Sequence, residues 1–380
     1  MYIRRQIFID SEGESLFLWG ARQTGKSTLL QFLLKDTLWF DLLLADVYER
    51  LLRNPTLLRE TVLANPELKT VVIDEIQRIP ELLNEIHWLI TNTKTRFIMS
   101  GSSPRKIIRS GANLLGGRAL RYELFPLASA EIPDFDLLKA LNHGLLPRHY
   151  LSERPKRLLS AYVGNYLKDE IVSEAKIRNV TVFARFLEAA AFSNGEIVNY
   201  TNIATDCGVS APTIKDYFQI LEDTLIARFI PTYQKRPKRR VIQSPKFYFF
   251  DVGIVNHLLK RGDIKYKSES FGNAFEHFIY LELYAHSHYS GLDYNISCWR
   301  TASQLEVDFI LGEHKIALEV KASDRISERH LRGLRAFMEE YDVEQAIVVS
   351  TEPMARLHNG IHILPWQEFL KKLWDNKLMK

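Results

Sequence analysis

A mixed α/β chain with several separate cores is the fold class predicted by three features of the sequence. Short apolar runs alternate with segments of helical period through the first 130 residues. Two helical segments joined by a tight turn follow in the middle, and two adjacent runs of strand character lie near the end. The length of 380 residues exceeds what one hydrophobic core usually supports, so two or three domains are expected. A hydrophobic fraction of 46% and a charged fraction of 25% are those of ordinary globular chains and argue against long disordered tracts. No run reaches the roughly 20 apolar residues of a membrane helix, and Met1 to Arg5 lacks a signal-peptide core, so a cytoplasmic protein without membrane partners is expected. Cys207 and Cys298 stand far apart with no metal-ligand spacing, which points away from disulfides and structural zinc. The net charge of +4 is small but uneven, with Lys235, Arg236, Lys238, Arg239 and Arg240 in one run.

Ser15 to Gly20 reads as a buried strand and Lys26 to Leu34 as a helix. Between them Gly20, Ala21, Arg22, Gln23, Thr24, Gly25, Lys26 and Ser27 satisfy GxxxxGK[ST] at each fixed position, with Thr28 next in the helix. The glycines let backbone N–H groups turn onto phosphate oxygens, and the helix adds its positive end. Lys26 is expected at the β and γ phosphates of ATP and Ser27 at magnesium.

Thr70 to Glu75 is an apolar strand that ends in two acids. Asp74 would hold the magnesium shell, and Glu75 would orient the attacking water, because phosphoryl transfer needs positioning and charge neutralisation above all. Thr37 to Leu43 and Arg96 to Ser100 supply flanking strands of a parallel sheet with an additional strand. After the last of these, either Ser102 or Ser103 is placed to sense the γ-phosphate.

Residues 151–195 have helical period and are expected to form a lid and linker. Tyr200 to Leu221 reads as a helix-turn-helix: Ala204 is the small packing residue, Gly208 the turn glycine, Ile214 the buried aliphatic and Ser210 the cap of the second helix. Thr213 and Lys215 would face outward toward DNA. A strand near Ile226 to Pro231 and the basic run suggest a wing whose Lys238, Arg239 and Arg240 meet DNA phosphates.

Near the end, Phe271 to His286 reads as a helix that carries Glu276 among apolar neighbours. Glu306 to Leu311 and Ile316 to Lys321 read as a hairpin closed over Gly312 to Lys315. That register sets Asp308 opposite Glu319 and Glu306 opposite Lys321, all on one face. Clustered carboxylates repel unless a cation joins them, so Asp308 and Glu319 are candidate magnesium ligands. Lys321 would serve the water or the phosphate, and Glu276 would complete the site.

These residues resemble a known family of prokaryotic AAA+ ATPases whose carboxyl-terminal part is a domain of unknown function similar to PD-(D/E)xK nucleases. The resemblance spans nearly the whole chain. It rests on Gly20 to Ser27, Ile73 to Pro80 (IDEIQRIP), Ser100 to Ser103, Gly117-Arg118, Pro245 to Gly253 (PKFYFFDVG), Trp299 to Thr301, Glu306 to Phe309 and Glu319 to Lys321. It implies an AAA+ core over residues 1–130, a helical lid and linker over 131–195, a winged helix over 196–250 and a restriction-endonuclease-like α/β domain over 251–380. It further implies that Arg118, or in its place Arg109, is an arginine finger serving a neighbouring subunit, so that the protein works as a homo-oligomer, with a hexameric ring as one form. Three functions compete. The first is an ATP-hydrolysing DNA-processing enzyme with a magnesium-dependent endonuclease or exonuclease site. The second is an ATP-switched DNA-binding or regulatory module with an inactive nuclease fold, and the third is a STAND-like nucleotide switch without DNA.

Overall fold

The computed structural model of the protein describes residues 2–10, 13–35, 37–109, 115–170, 177, 179–235 and 239–379. It divides into two compact units, Met1–Pro126 with Asp223–Ile226, and Leu127–Glu222 with Ala227–Lys380. Among the described residues no helix is long and apolar enough to cross a membrane.

The first unit is built on five parallel strands, β1 (Ser15–Trp19), β2 (Leu38–Asp41), β3 (Thr70–Asp74), β4 (Arg96–Gly101) and β5 (Ala119–Glu123), in the order β2-β3-β4-β1-β5. Strand β4 lies between β1 and β3, the additional-strand arrangement expected from the spacing. Every residue of β1 and β3 is buried, because helices cover both faces of a parallel sheet and the strands must be apolar throughout. Phe17, Trp19, Ile73, Leu89, Phe97 and Met99 belong to the core of this unit. Polar residues gather where the strands end, and the loops after β1, β3 and β4 meet there.

The second unit contains the helix Val180–Phe192, the helix pair Tyr200–Cys207 and Ala211–Asp223, and the antiparallel strands β6 (Ala227–Ile230) and β7 (Lys246–Phe249). Gly208 closes the helix Tyr200–Cys207 in the left-handed conformation, and Ala204 and Ile214 are buried as the motif requires. The long helix Glu269–Tyr289 then precedes a six-stranded sheet of β8 (Ile296–Arg300), β9 (Glu306–Leu311), β10 (Ile316–Lys321), β11 (Gln345–Ser350), β12 (Arg356–His358) and β13 (Ile361–Pro365). Its order is β12-β13-β11-β10-β9-β8. Strands β10, β11 and β13 are parallel and the outer pairs antiparallel, so the sheet is mixed.

Main chain beyond β6 pairs with β8, the edge of the large sheet: Tyr233 N donates to Cys298 O at 2.7 Å and Cys298 N to Pro231 O at 3.0 Å. Val241 bridges Thr301. An edge strand with unpaired backbone groups is costly to leave open, and the segment expected as a free wing covers it.

Candidate functional site

Gly25 sits at φ +98°, in the left-handed region that a side chain disfavours, and opens the helix Lys26–Leu33. The loop Gly20–Ser27 thus follows β1 and leads directly into a helix N-terminus, with Thr28 exposed in the first turn. Thr24 is buried and donates to Ala21 O at 2.9 Å, which stiffens the loop. Lys26 is buried and donates to Gly20 O at 2.8 Å and Ala21 O at 3.2 Å, and burial pushes its ammonium down to about 8. Arg22 and Gln23 stand on the outer side of the loop, half-buried and exposed.

Asp74 is buried and receives three donors: Ser27 Oγ at 2.7 Å, Ser100 Oγ, and Glu75 N at 3.1 Å. A serine hydroxyl on a carboxylate at the head of a phosphate loop is a hard-oxygen pair that fits magnesium. Glu75 takes φ +62°, and its carboxylate accepts from Gln77 Nε2 and, at 3.5 Å, from Ser102 Oγ. Of the two candidate serines, Ser102 therefore faces Glu75. The Ser103 hydroxyl instead accepts from Arg105 N at 3.2 Å, as a helix-initiating serine does.

Two contributors escaped the sequence reading. Arg5 donates to Thr24 O at 2.8 Å and to Phe125 O and Pro126 O at 2.7 and 3.1 Å, bracing the phosphate loop against the chain after β5. Gln77 links Glu75 to Ser102. No local spacing announces the Arg5 contact, whereas Gln77 lies inside the IDEIQRIP string and was legible as a polar residue in an apolar setting. Arg118 is exposed after a one-turn helix at Leu115–Gly117, while only the backbone of Arg109 is described.

In the second unit the hairpin register is the expected one, with Leu311 opposite Ile316 and Phe309 opposite Leu318. Asp308, Glu319 and Lys321 do converge, and Glu276 joins them. Lys321 Nζ lies 2.5 Å from Glu319 Oε1 and 3.9 Å from Asp308 Oδ2, and that oxygen also accepts from Val320 N at 2.8 Å. The unexpected member is Lys246 of β7, buried, at 3.0 Å from Glu276 Oε1 and 3.4 Å from Asp308 Oδ1. Tyr248 of the same strand donates to Glu276 Oε1 at 2.5 Å.

Two lysines therefore sit among three carboxylates, with Lys246 and Lys321 both close to Asp308, one of the two expected magnesium ligands. Glu306 is not part of the cluster and pairs with Arg300 at 3.6 Å. Among the described residues no group of three or more His, Cys, Asp or Glu side chains is arranged to hold a metal ion. Ammonium groups from β7 and β10 supply positive charge of the kind a bare carboxylate cluster would take from a cation. Burial opposes charge on Lys246, yet Glu276, Tyr248 and Asp308 outweigh it and hold its pKa well above the lysine range. Burial and then the Asp308 charge push Glu319 up to about 8, and its Oε2 is buried without a hydrogen-bond partner.

The expected DNA contacts are dispersed. Lys215 is exposed, with its ammonium 5.4 Å from the centre of the Tyr200 ring. Thr213 is half-buried, its hydroxyl 2.9 Å from the Ser210 cap. Arg239 is corrected as a free phosphate contact: it pairs with Glu339 and Glu340, each at 2.6 Å, and donates to Ala336 O at 2.9 Å. Arg240 is exposed, and Lys238 lies outside the described residues.

Residues 12–133 match the family described as an AAA domain, residues 134–265 a domain of unknown function, DUF8612, and residues 271–369 a domain of unknown function, DUF4143. An uncharacterized Mycobacterium tuberculosis protein is 24% identical over 371 residues, spanning 93% of this chain and 80% of its own. An uncharacterized Haemophilus influenzae protein is 21% identical over 291 residues, spanning 72% of this chain and 70% of its own. Among solved structures, the Aeropyrum pernix Orc1 protein in complex with DNA aligns with 66% of this chain and 87% of its own, at 11% identity and TM-score 0.24. AMPPCP-bound DnaA from Aquifex aeolicus aligns with 55% and 81%, at 14% identity and TM-score 0.26. Likenesses this low carry no argument; residues 12–133 are similar to the AAA domain family, and the loop Gly20–Ser27 within them has the geometry of a phosphate-binding loop.

Proposed function

We propose that the chain is an ATPase, in which Lys26 and the backbone N–H groups of the loop Gly20–Ser27 hold the phosphates and Glu75 orients the attacking water. The observation that carries this reading is the meeting of Ser27 with Asp74, with Glu75 next along the chain. Magnesium, held by Ser27 and Asp74, would neutralise charge on the transferring phosphoryl group. Lys26 would leave the Gly20 and Ala21 carbonyls for phosphate oxygens, which repays the cost of burying its charge. The exposed Arg118 would serve a neighbouring subunit's nucleotide, making the active form a homo-oligomer. Lys26→Ala should abolish nucleotide binding, while Glu75→Gln should bind ATP and hydrolyse it at least about 100-fold more slowly. Turnover by Glu75→Gln at the wild-type rate would refute the assignment.

The lysine-balanced cluster favours an ATP-switched DNA-binding module over a nuclease. A site whose acids are already neutralised has less call on a metal ion, and Lys215 and Arg240 remain exposed for phosphate contact. Wild-type protein should bind duplex DNA with a salt-dependent affinity that changes between ATP and ADP, and should leave single-stranded, duplex and flap DNA uncut with magnesium. Cleavage that disappears in both Asp308→Ala and Lys321→Ala would restore the nuclease reading.

A further inference from the structure

Gln77 lies in the one-turn helix Ile76–Arg78 directly after β3 and is 5% exposed. The left-handed Glu75 turns the chain back on itself, so that a side chain two residues on reaches the Glu75 carboxylate. Gln77 Nε2 donates to Glu75 Oε2 and to Ser102 Oγ at 3.0 Å, and Ser102 Oγ lies 3.5 Å from the same Glu75 oxygen. Chemistry fixes the orientation of the amide, since only its nitrogen can face a carboxylate.

Gln77 Oε1 is buried with no hydrogen-bond partner. It lies against Gly101, where an added Cβ would stand 2.3 Å from that oxygen and 2.5 Å from Trp19 Cζ3. The amide oxygen and the Trp19 ring thus both border the space over Gly101 at the end of β4. A leucine or methionine would fill this space without stranding a polar atom, so packing alone does not account for a glutamine here.

We propose that Gln77 is a positioning residue that ties Glu75 to Ser102, so that the γ-phosphate arriving at Ser102 sets the carboxylate for hydrolysis; this rests on the ATPase reading above. A phosphate oxygen accepts hydrogen bonds and has no proton to give. Within the triad, the Ser102 hydroxyl can turn its proton to that oxygen while the amide keeps its hold on Glu75. Glu75 then loses the serine donor and is held by the Gln77 amide at the oxygen they share, leaving its other oxygen to accept a proton from water. No bond to phosphorus involves Gln77 itself.

The test uses the full chain with Gln77→Met, Ser102→Ala, the double variant, Glu75→Gln and Gln77→Glu. Affinities for ADP and for a methylene-bridged ATP analogue are measured beside steady-state ATP hydrolysis. Gln77→Met should keep both affinities and KM within about threefold of wild type and lower kcat by about tenfold or more. The double variant should be within about twofold of Ser102→Ala, because Ser102→Ala already removes both the phosphate contact and the link that Gln77 serves. A Gln77→Met kcat within about twofold of wild type, loss of nucleotide affinity in parallel with kcat, or losses that multiply in the double variant would each overturn the proposal. If Gln77→Met does not fold, the near-isosteric Gln77→Glu decides. It sets like charges together and should be slow with nucleotide affinity retained, and wild-type turnover in it overturns the proposal. A wild type no faster than Glu75→Gln refutes the ATPase reading, whereas a fast wild type with an equally fast Gln77→Met refutes this inference alone.

Discussion

Ser27 and Asp74, 47 positions apart, meet through a 2.7 Å hydrogen bond from the serine Oγ to Asp74 Oδ2. The contact joins the phosphate loop after β1 to the end of β3 across the intervening β4, and Ser100 of β4 donates to the other Asp74 oxygen. Three strand ends are thereby fastened at one carboxylate. Small movements of any of them alter the site, and nucleotide chemistry and local stability are coupled there.

Lys26 displays that coupling. Burial lowers its pKa to about 8, whereas the unfolded chain keeps the ordinary 10.5. Between these values the unfolded chain binds more protons, so the contribution of Lys26 to stability rises with pH from about 8 to 10.5 and is least favourable below 8. Lys26→Met should therefore stabilise the protein at pH 7 by up to about 3 kcal/mol while abolishing nucleotide binding. Thermal melts at pH 7 and pH 10 should show its advantage over wild type shrinking at the higher pH.

Asp251 is buried and caps the helix Val252–Leu258 through Ile254 N at 3.1 Å, and it accepts from Leu145 N at 2.6 Å. Gly144 leaves room for it, since a Cβ there would stand 2.3 Å from Asp251 Oδ1. Asp251→Ala strands two buried N–H groups and should cost about 2–4 kcal/mol. Asp251→Asn retains one acceptor and should cost less. Urea unfolding midpoints would rank the pair, and equal losses would count against this account.

Arg239 and Arg240 are neighbours with different tasks. The Arg239 pairs with Glu339 and the buried Glu340 make Arg239→Ala a stability variant, losing about 1–2 kcal/mol with little change in DNA binding. Arg240→Ala should stay within about 0.5 kcal/mol of wild type in stability and reduce the slope of log affinity against log salt by about 1. Paired denaturation and DNA titrations separate the two.

Lys246 holds Glu276 and Asp308 in a buried setting, so Lys246→Met should cost about 3–5 kcal/mol by leaving Glu276 without a cation and Asp308 with Lys321 alone. Adding Glu276→Gln should recover part of the loss. Lys321→Ala should cost less, because its side chain is 27% exposed and water can screen what remains. Chemical denaturation of the three variants checks the order.

Local spacing made much of this legible. The phosphate loop reads from eight consecutive residues because a glycine turn, a lysine and a serine are needed at set positions. The β9–β10 register follows from a four-residue turn and a period of two, which is why Asp308, Glu319 and Lys321 were placed together correctly. Helix and strand boundaries in the first unit differ from expectation by at most two residues, since the ends of elements depend on what packs against them.

The sequence by itself determined the nucleotide loop, the acidic strand end, the helix-turn-helix and the hairpin, because each is written in neighbouring residues with a fixed geometric period. Tertiary structure alone decided that Lys246 enters the acidic cluster, that Arg239 is spent on Glu339 and Glu340, that Arg5 braces the phosphate loop and that Gln77 meets Ser102. Those contacts join residues 19 to 121 positions apart, and no periodicity specifies them. Burial supplies the physical reason: a charge or amide taken out of water must find whichever partner the folded chain brings within reach, and that partner is fixed by packing.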